Sequence, residues 1–429
     1  MAGTLILLLL VILGTPLFAI IASSALIGFY SEGIDLSVIA IEIYRITDTP
    51  VLLAIPLFTF AGYVLGESKA SHRLVRMTNA LLGWMPGGLA VVSLFACAFF
   101  TALTGASGAT IIALGAILYP AMKQAGYPER FNLGLITSSG SLGLLFPPSI
   151  ALILYGVIAQ QMDLEQSVAI DDLFIAGLLP GLVMLALLVA WSMYKSVSEK
   201  IPTTVFDSKE LISALRESVW EVPLPIILVA GIYSGYFAVS EAAAVAVMYV
   251  LIVDVLILRE VTLKQLPTIM RDSMVLVGGV LIILGVSLAS TNYLIDTEVP
   301  TKLFDFIREH IDSKLTFLIL LNIFLLVLGM MLDVFSALVI IVPLTLPIAV
   351  GYGIHPIHFG IIFLANMQIG YFTPPVGMNL FIASYRFKKP ITELYYATIP
   401  FMLILFVAVL IITYWPALTM SLVELRHAP

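Results

Sequence analysis

Residues 137–149 read Thr-Ser-Ser-Gly-Ser-Leu-Gly-Leu-Leu-Phe-Pro-Pro-Ser, and residues 366–379 read Asn-Met-Gln-Ile-Gly-Tyr-Phe-Thr-Pro-Pro-Val-Gly-Met-Asn. Each sets a Pro-Pro pair inside a long apolar run, 131–160 and 357–384. Proline has no N–H and cannot close the helical ladder, so carbonyls ahead of it are freed. In hydrocarbon such backbone is tolerated only where it is buried in protein or lines a cavity. Each stretch is therefore read as a helix broken at membrane depth.

Ahead of each break lies an apolar stretch too long for one crossing, 89–120 and 315–350, with small or polar residues at its middle. A crossing takes roughly 20 residues. Lys/Arg bias assigns the loops to sides. Lys69, Arg73 and Arg76 precede the first stretch and Lys123 and Arg130 follow it, so it enters and leaves on the cytoplasmic side, as a re-entrant hairpin. Loop 161–172, with Asp163, Glu165, Asp171 and Asp172 and no basic residue, reads as external. Lys195, Lys200, Lys209 and Arg216 lie inside, as do Arg259, Lys264 and Arg271. The net acidic 295–314 and the base-free 351–357 read as external, so 315–350 is a second hairpin opening outward. Arg386, Lys388 and Lys389 return the chain inside, and the C-terminus ends outside.

One shift of 227 residues carries Pro120 onto Pro347, Gly126 onto Gly353, Gly143 onto Gly370 and Pro147-Pro148 onto Pro374-Pro375. Proline and glycine punctuate backbone geometry. Two halves that share this punctuation and open to opposite sides form an inverted repeat, an architecture of secondary transporters.

Composition agrees. The 429 residues are 61% hydrophobic and 11% charged, with mean hydropathy +1.09, far from a soluble enzyme. Further crossings are expected over 2–30 (one tilted helix or a broken pair), 50–67, 173–194, 221–239, 242–258, 274–294 and 397–418. The apolar start lacks a basic n-region and is read as a retained segment. A net charge of −7 with no basic block argues against a nucleic-acid partner. The single Cys97 excludes a disulfide framework. His72, His310, His355, His358 and His427 form no metal motif, and no H-E-x-x-H, G-x-S-x-G or nucleotide loop is present. Energy must then come from an ion gradient or a partner.

The chemistry sits at the hairpin middles and the facing breaks. Thr101 to Thr110 is a run of small and hydroxylated residues, which lets backbones approach closely. Freed carbonyls and hydroxyls are oxygen ligands of the kind that replace an alkali ion's water shell. A half-helix N-terminus attracts an anion, and a half-helix C-terminus a cation. The second hairpin adds Asp333, beside Gly329 and Ser336. A carboxylate at bilayer depth costs about 2.5–3.5 kcal/mol on insertion scales, so it needs a partner, either a bound cation or a proton.

The strings TGASGAT (104–110), LYPAMKQAGYPERFNLGLITSSGSLGLLFPPSIALILYG (118–156), LDVFSALVIIVPLTLPIA (332–349) and IGYFTPPVGMNLFIAS (369–384) resemble the large membrane subunit of tripartite ATP-independent periplasmic (TRAP) transporters. The resemblance spans essentially the whole chain. It implies an all-α polytopic membrane protein: an inverted-repeat, elevator-type transporter with two re-entrant helical hairpins and two Pro-Pro-broken helices. It implies sodium-driven uptake of a small organic acid anion, and no enzyme. It implies a bacterial inner-membrane location with the C-terminus periplasmic. Its partners are a small four-helix membrane subunit, expected as a separate polypeptide, and a periplasmic substrate-binding protein.

Carried onto this chain with the repeat, the resemblance suggests one Na⁺ near Thr104, Ser107, Ser139, Gly143, Phe146 and Pro147. A second is expected near Gly329, Asp333, Gly370, Thr373 and Met378. The anion is expected between the hairpin tips, with Ser107, Ser138, Ser141 and Asn379 as contacts. Sialic-acid members carry serine-glycine-serine where this chain has Thr104-Gly105-Ala106, which favours a C4-dicarboxylate or related carboxylate. The expected division is scaffold helices over 1–67, the first half of the transport domain over 68–160, scaffold over 161–294, the second transport half over 295–384, and a C-terminal helix over 385–429. The alternatives are a stand-alone sodium- or proton-coupled symporter or antiporter, an intramembrane enzyme, and a passive channel.

Overall fold

The computed structural model describes residues 2–45, 49–162, 164, 166–203 and 205–427. Asp163 and Glu165, used above to place a loop outside, lie outside the described residues. All regular structure among the described residues is helical.

The expected crossing over 2–30 is a broken pair, α1 (Ala2–Ile12) and α2 (Leu17–Ser31), parted at Pro16. After α3 (Ser37–Arg45) comes α4 (Ala54–Glu67), which continues a short turn from Pro50. The amphipathic α5 (Ala70–Leu82) leads into α6 (Gly88–Thr104) and α7 (Ser107–Gln124), the first hairpin. The first broken helix is α8 (Glu129–Ser139), a tight turn over Leu142–Leu145, and α9 (Ile150–Gln160), bent by 42° at the break.

The long α10 (Ile170–Ser198) crosses back to the surface helix α11 (Ser208–Glu217). Next come α12 (Pro223–Tyr233) and α13 (Val239–Val250), extended to Ile257 by a wider helical turn. The expected crossing over 221–239 is corrected here. Only eleven residues are helical, about 16 Å at 1.5 Å per residue, roughly half the hydrocarbon thickness. Gly235, in the left-handed region at φ +74°, ends it.

The second half runs through α14 (Leu266–Asp296) and α15 (Val299–His310) to the second hairpin, α16 (Lys314–Met331) and α17 (Val334–Gly351). The second broken helix is α18 (Pro356–Gly370) and α19 (Met378–Phe387). The chain closes with α20 (Ile391–Tyr414) and α21 (Ala417–His427).

The repeat holds in three dimensions. The 227-residue shift lays Ser107–Gln124 onto Val334–Gly351 end to end, and places Glu129, which starts α8, on Pro356, which starts α18. Gly126 and Gly353 both turn the chain at positive φ, and both Pro-Pro bonds are cis. Packing follows the same symmetry: α6 lies on α8 and α16 on α18, while α7 lies on α19 and α17 on α9. Each hairpin's second arm thus packs on the other half's broken helix.

Contacts also join the loops that charge bias places on one side. Arg73 binds Glu221 and Glu260 at 2.6 and 2.5 Å, and Lys389 binds Glu129 at 2.7 Å. These tie together loops read as cytoplasmic. On the other face, Arg426 meets Asp171 at 2.5 Å and the Lys314 ammonium donates to the Gly353 carbonyl at 2.8 Å. Tyr352 donates to the Ile311 carbonyl at 2.6 Å, so the two arms of the second hairpin begin and end together. Both long apolar stretches therefore double back. The expected boundary at 67/68 falls just before α5, yet Arg73 and Arg76 clamp that helix to Glu210, Glu217, Glu221 and Glu260.

Candidate functional site

The first hairpin turns at Gly105, whose φ of +67° lies where a side chain is strained. A Cβ there would also meet Ile150 Cδ1 at 2.5 Å. Just below the turn, the Thr101 and Thr110 hydroxyls of the two arms lie 2.6 Å apart, and Thr101 also donates to the Gly140 carbonyl at 2.8 Å. That bond pins the hairpin to the first break. Gly143 makes the contact closer still: a Cβ would stand 2.3 Å from the Ala102 nitrogen and 2.4 Å from the Ala98 oxygen.

Thr104 is buried against Gly62 of α4, and among the described residues its hydroxyl has no hydrogen-bond partner. An unpaired buried hydroxyl costs about 1–3 kcal/mol, so it asks for a ligand. The Ser107 hydroxyl donates to Asn379 Oδ1 at 2.9 Å, and Asn379 Nδ2 reaches the Thr137 carbonyl at 3.4 Å. The tip of one half is thus bonded to both broken helices. Ser138 and Ser139 donate to carbonyls one turn earlier in α8, which leaves their oxygen lone pairs for another partner. Phe146 packs on Gly181 of α10, at the outer side of the break.

The second tip uses a different device. Asp333 is the N-cap of α17: Oδ1 accepts from the Phe335 and Ser336 amides at 3.0 Å each, and Oδ2 from the Ser336 hydroxyl at 2.5 Å. The partner demanded by its charge thus includes a helix N-terminus. It is only partly buried, so an ion can still reach it. Behind it, Gly329 and Gly370 meet backbone to backbone; a Cβ on Gly370 would lie 2.5 Å from the Gly329 Cα. The Val334 amide donates to the Tyr371 hydroxyl at 2.7 Å, and Thr373 donates to the Ile369 carbonyl at 2.8 Å.

Both tips open onto one cavity of about 850 Å³. Of the expected ligands, Thr104, Ser107, Asp333 and Met378 line it. Ser139, Gly143, Phe146, Pro147, Gly329, Gly370 and Thr373 do not line it. Ser138, Ser141 and Asn379, expected to touch the anion, are fully buried and do not line the cavity; Asn379 is linked to it through Ser107. Three residues were missed: Tyr371, which braces the second tip, and Glu67 and Arg386, both exposed in the cavity wall. The four-residue spacing of Met378, Ile382 and Arg386 was the available signal, since it sets all three on one helix face. Beside them, Ala109, Ile112, Ala113 and Ala116 of α7, which packs on α19, line the same cavity.

Comparisons with known proteins agree with this architecture. The C4-dicarboxylate TRAP transporter large permease of Pseudomonas aeruginosa is 34% identical over 90% of this chain and 88% of its own. The ectoine/5-hydroxyectoine large permease of Ruegeria pomeroyi is 31% identical over the full length of both. An isethionate TRAP permease of Oleidesulfovibrio alaskensis is 32% identical over 96% of this chain, which spans 64% of that protein. The YdaH transporter of Alcanivorax borkumensis shares the fold at TM-score 0.62 and 17% identity, over 88% of this chain and 90% of its own. The family described as "Tripartite ATP-independent periplasmic transporter, DctM component" matches residues 4–418. This chain is therefore a multi-pass membrane transporter subunit and no enzyme, and it belongs to the large-permease family of the TRAP transporters.

Proposed function

We propose that this chain carries a small organic acid anion inward, driven by sodium, after a periplasmic binding protein releases the anion at its outer face. A small four-helix subunit extends the static part in the membrane. Several similar permeases are named for C4-dicarboxylates, and the cation Arg386 in the cavity wall suits an anionic cargo. The observation that carries the reading is the meeting of both hairpin tips at one cavity, with the unpaired Thr104 hydroxyl and the Asp333 carboxylate at its head.

Sodium fits these groups. Thr104, Ser107 and Ser139 offer hydroxyl oxygens at one tip, and Asp333, with the backbone around Gly370 and Thr373, offers oxygens at the other. Each ion bound orders a tip that the anion then meets. The loaded hairpins and broken helices move as one body past the scaffold, an elevator step. The cavity reaches Glu67 and Arg386, on the side that charge bias reads as cytoplasmic, which supports an inward-open arrangement in a bacterial inner membrane with the C-terminus periplasmic. Each positive charge moved down 100 mV yields about 2.3 kcal/mol. Two sodium ions with a dianion are electroneutral; a third makes uptake electrogenic.

The test is uptake of a labelled C4-dicarboxylate into proteoliposomes holding this chain, its small subunit and its binding protein. Uptake that requires a sodium gradient and the binding protein is expected. Full uptake on a proton gradient alone rejects sodium coupling, and full uptake without the binding protein favours a stand-alone symporter.

A further inference from the structure

A second pocket, of about 200 Å³, lies where α8 begins, α10 ends and α20 begins. It shares no lining residue with the central cavity. All three helix ends lie on the face that carries Lys123, Arg130, Lys195, Lys388 and Lys389, so the pocket sits at the rim of the bilayer on its basic side. Tyr127, Trp191 and Tyr396 line it, the residue types that gather at the headgroup level. Its charges are Arg130, Lys195 and Glu199, a net +1.

Two features point to an anion rather than to general wetting. Among the described residues neither Arg130 nor Lys195 has a carboxylate partner; the Lys195 ammonium stands 5.6 Å over the Trp191 ring instead. The Trp191 indole N–H is buried and has no hydrogen-bond partner among the described residues. Indole N–H is only a donor, so its missing partner is an acceptor such as a phosphate or ester oxygen. Deeper in, Phe131, Pro400 and Phe401 make the floor apolar, which suits acyl chains and glycerol more than a free hydrated ion. Basic pockets between helices on the cytoplasmic side are the recurring seats of anionic headgroups.

We propose that this pocket binds one anionic phospholipid, its phosphate held by Arg130, Lys195 and the Trp191 N–H, its glycerol and first methylenes on Phe131 and Phe401. The seat touches α8, at the root of the first broken helix, and α10, which runs alongside the first break.

Native mass spectrometry of the full chain in detergent, titrated with phosphatidylglycerol or phosphatidylethanolamine, tests this. One tightly held phosphatidylglycerol is expected, with phosphatidylethanolamine held less well. The Arg130→Gln/Lys195→Gln variant is expected to bind that phosphatidylglycerol about thirtyfold more weakly, the weight of two cations at a charged surface. The charge-keeping Arg130→Lys/Lys195→Arg variant guards against a folding defect and is expected to retain it. Equal retention by wild type and the glutamine variant overturns the proposal. So does displacement of the lipid by millimolar inorganic phosphate, which assigns the pocket to a free anion.

Discussion

Ser141 and Gln368 hold the same place in the two halves of the chain, 227 residues apart, and the Ser141 hydroxyl donates to the Gln368 carbonyl at 3.0 Å. Repeat-related residues can touch only where the pseudo-two-fold axis passes between them. The axis of the inverted repeat therefore runs through the two broken helices, beside the hairpin tips. Both residues are fully buried, and among the described residues the Gln368 side-chain amide has no hydrogen-bond partner. The centre of symmetry is a polar spot inside an apolar body, flanked by Gly143 and Gly370, where helices come into backbone contact.

Those two glycines give the first prediction. Gly143→Ala places a Cβ 2.3 Å from the Ala102 nitrogen, and Gly370→Ala places one 2.5 Å from the Gly329 Cα. Neither neighbour is the end of a flexible side chain, so the backbone must shift. Each substitution is expected to destabilise by about 1–3 kcal/mol, seen as a lower Tm in detergent. Gly278→Ala, in α14 with nothing within 4 Å, is the control and is expected to be neutral or slightly stabilising. Equal Tm for all three would show that the hairpins are not packed against the breaks as described.

This arrangement was legible in the sequence to different depths. Pro-Pro pairs and matched glycines act through local backbone chemistry, so the breaks, the hairpins and the repeat could be read directly. Lys/Arg bias grouped the loops correctly because charge at a membrane edge is also local: Lys389–Glu129 and Arg426–Asp171 are the physical outcome. The rest needs three-dimensional knowledge. Residues 221–239 are apolar enough to cross, and composition does not reveal that Ser218 and Glu221 are anchored to α5 and that Gly235 cuts the helix short. Ser138 and Ser141 are hydroxyls near a break, and the sequence does not show that they lie off the cavity wall. Which way a helical hydroxyl faces depends on what packs on it, and here α7 and α18 cover them. For Asp333 the sequence shows that the carboxylate needs a partner, a cation or a proton; that a helix N-terminus shares the role depends on where α17 starts.

Asp333 allows its two roles to be separated. Asparagine caps helices about as well as aspartate, whereas alanine loses the cap at a cost of about 0.5–2 kcal/mol. Asp333→Asn is therefore expected to keep a near-native Tm without sodium, and Asp333→Ala to lower it. Both are expected to show a smaller sodium-induced rise in Tm than the wild type, because both lack the carboxylate of the second site while the first is intact. A full sodium response in Asp333→Asn would leave this residue a structural cap with no coupling role.

Arg386 and Glu67 face the same cavity from α19 and α4. With an anion as cargo, Arg386→Gln is expected to raise the KM for uptake several-fold, with the sodium dependence unchanged. Loss of one exposed cation near a dianion is worth on the order of 1 kcal/mol, about fivefold. Glu67→Gln removes a like charge from the anion's path and is expected to leave KM unchanged or lower it. Measuring both variants in proteoliposomes at two ionic strengths checks the cause, since screening must shrink an electrostatic effect. Identical KM values for wild type and Arg386→Gln at low salt would remove Arg386 from the path.

Thr104 is the sharpest test of the first ion site. Its hydroxyl is buried and unbonded, so Thr104→Val replaces an unsatisfied polar group with a methyl of the same shape. From packing alone this change is expected to be neutral or stabilising, since an unpaired buried hydroxyl carries a desolvation cost. If the hydroxyl is a sodium ligand, its removal weakens sodium binding instead. Ligand binding raises stability by RT ln(1 + [L]/Kd), so the Tm of the wild type is expected to climb with NaCl at constant ionic strength against KCl. Thr104→Val is expected to start at the same Tm or higher in KCl and to climb less, with an apparent Kd for sodium raised about tenfold, the weight of roughly one ligand. A variant more stable in KCl and unaltered in its sodium response would make Thr104 a packing residue, and the hydroxyls of Ser107 and Ser139 would then have to hold the first ion without it.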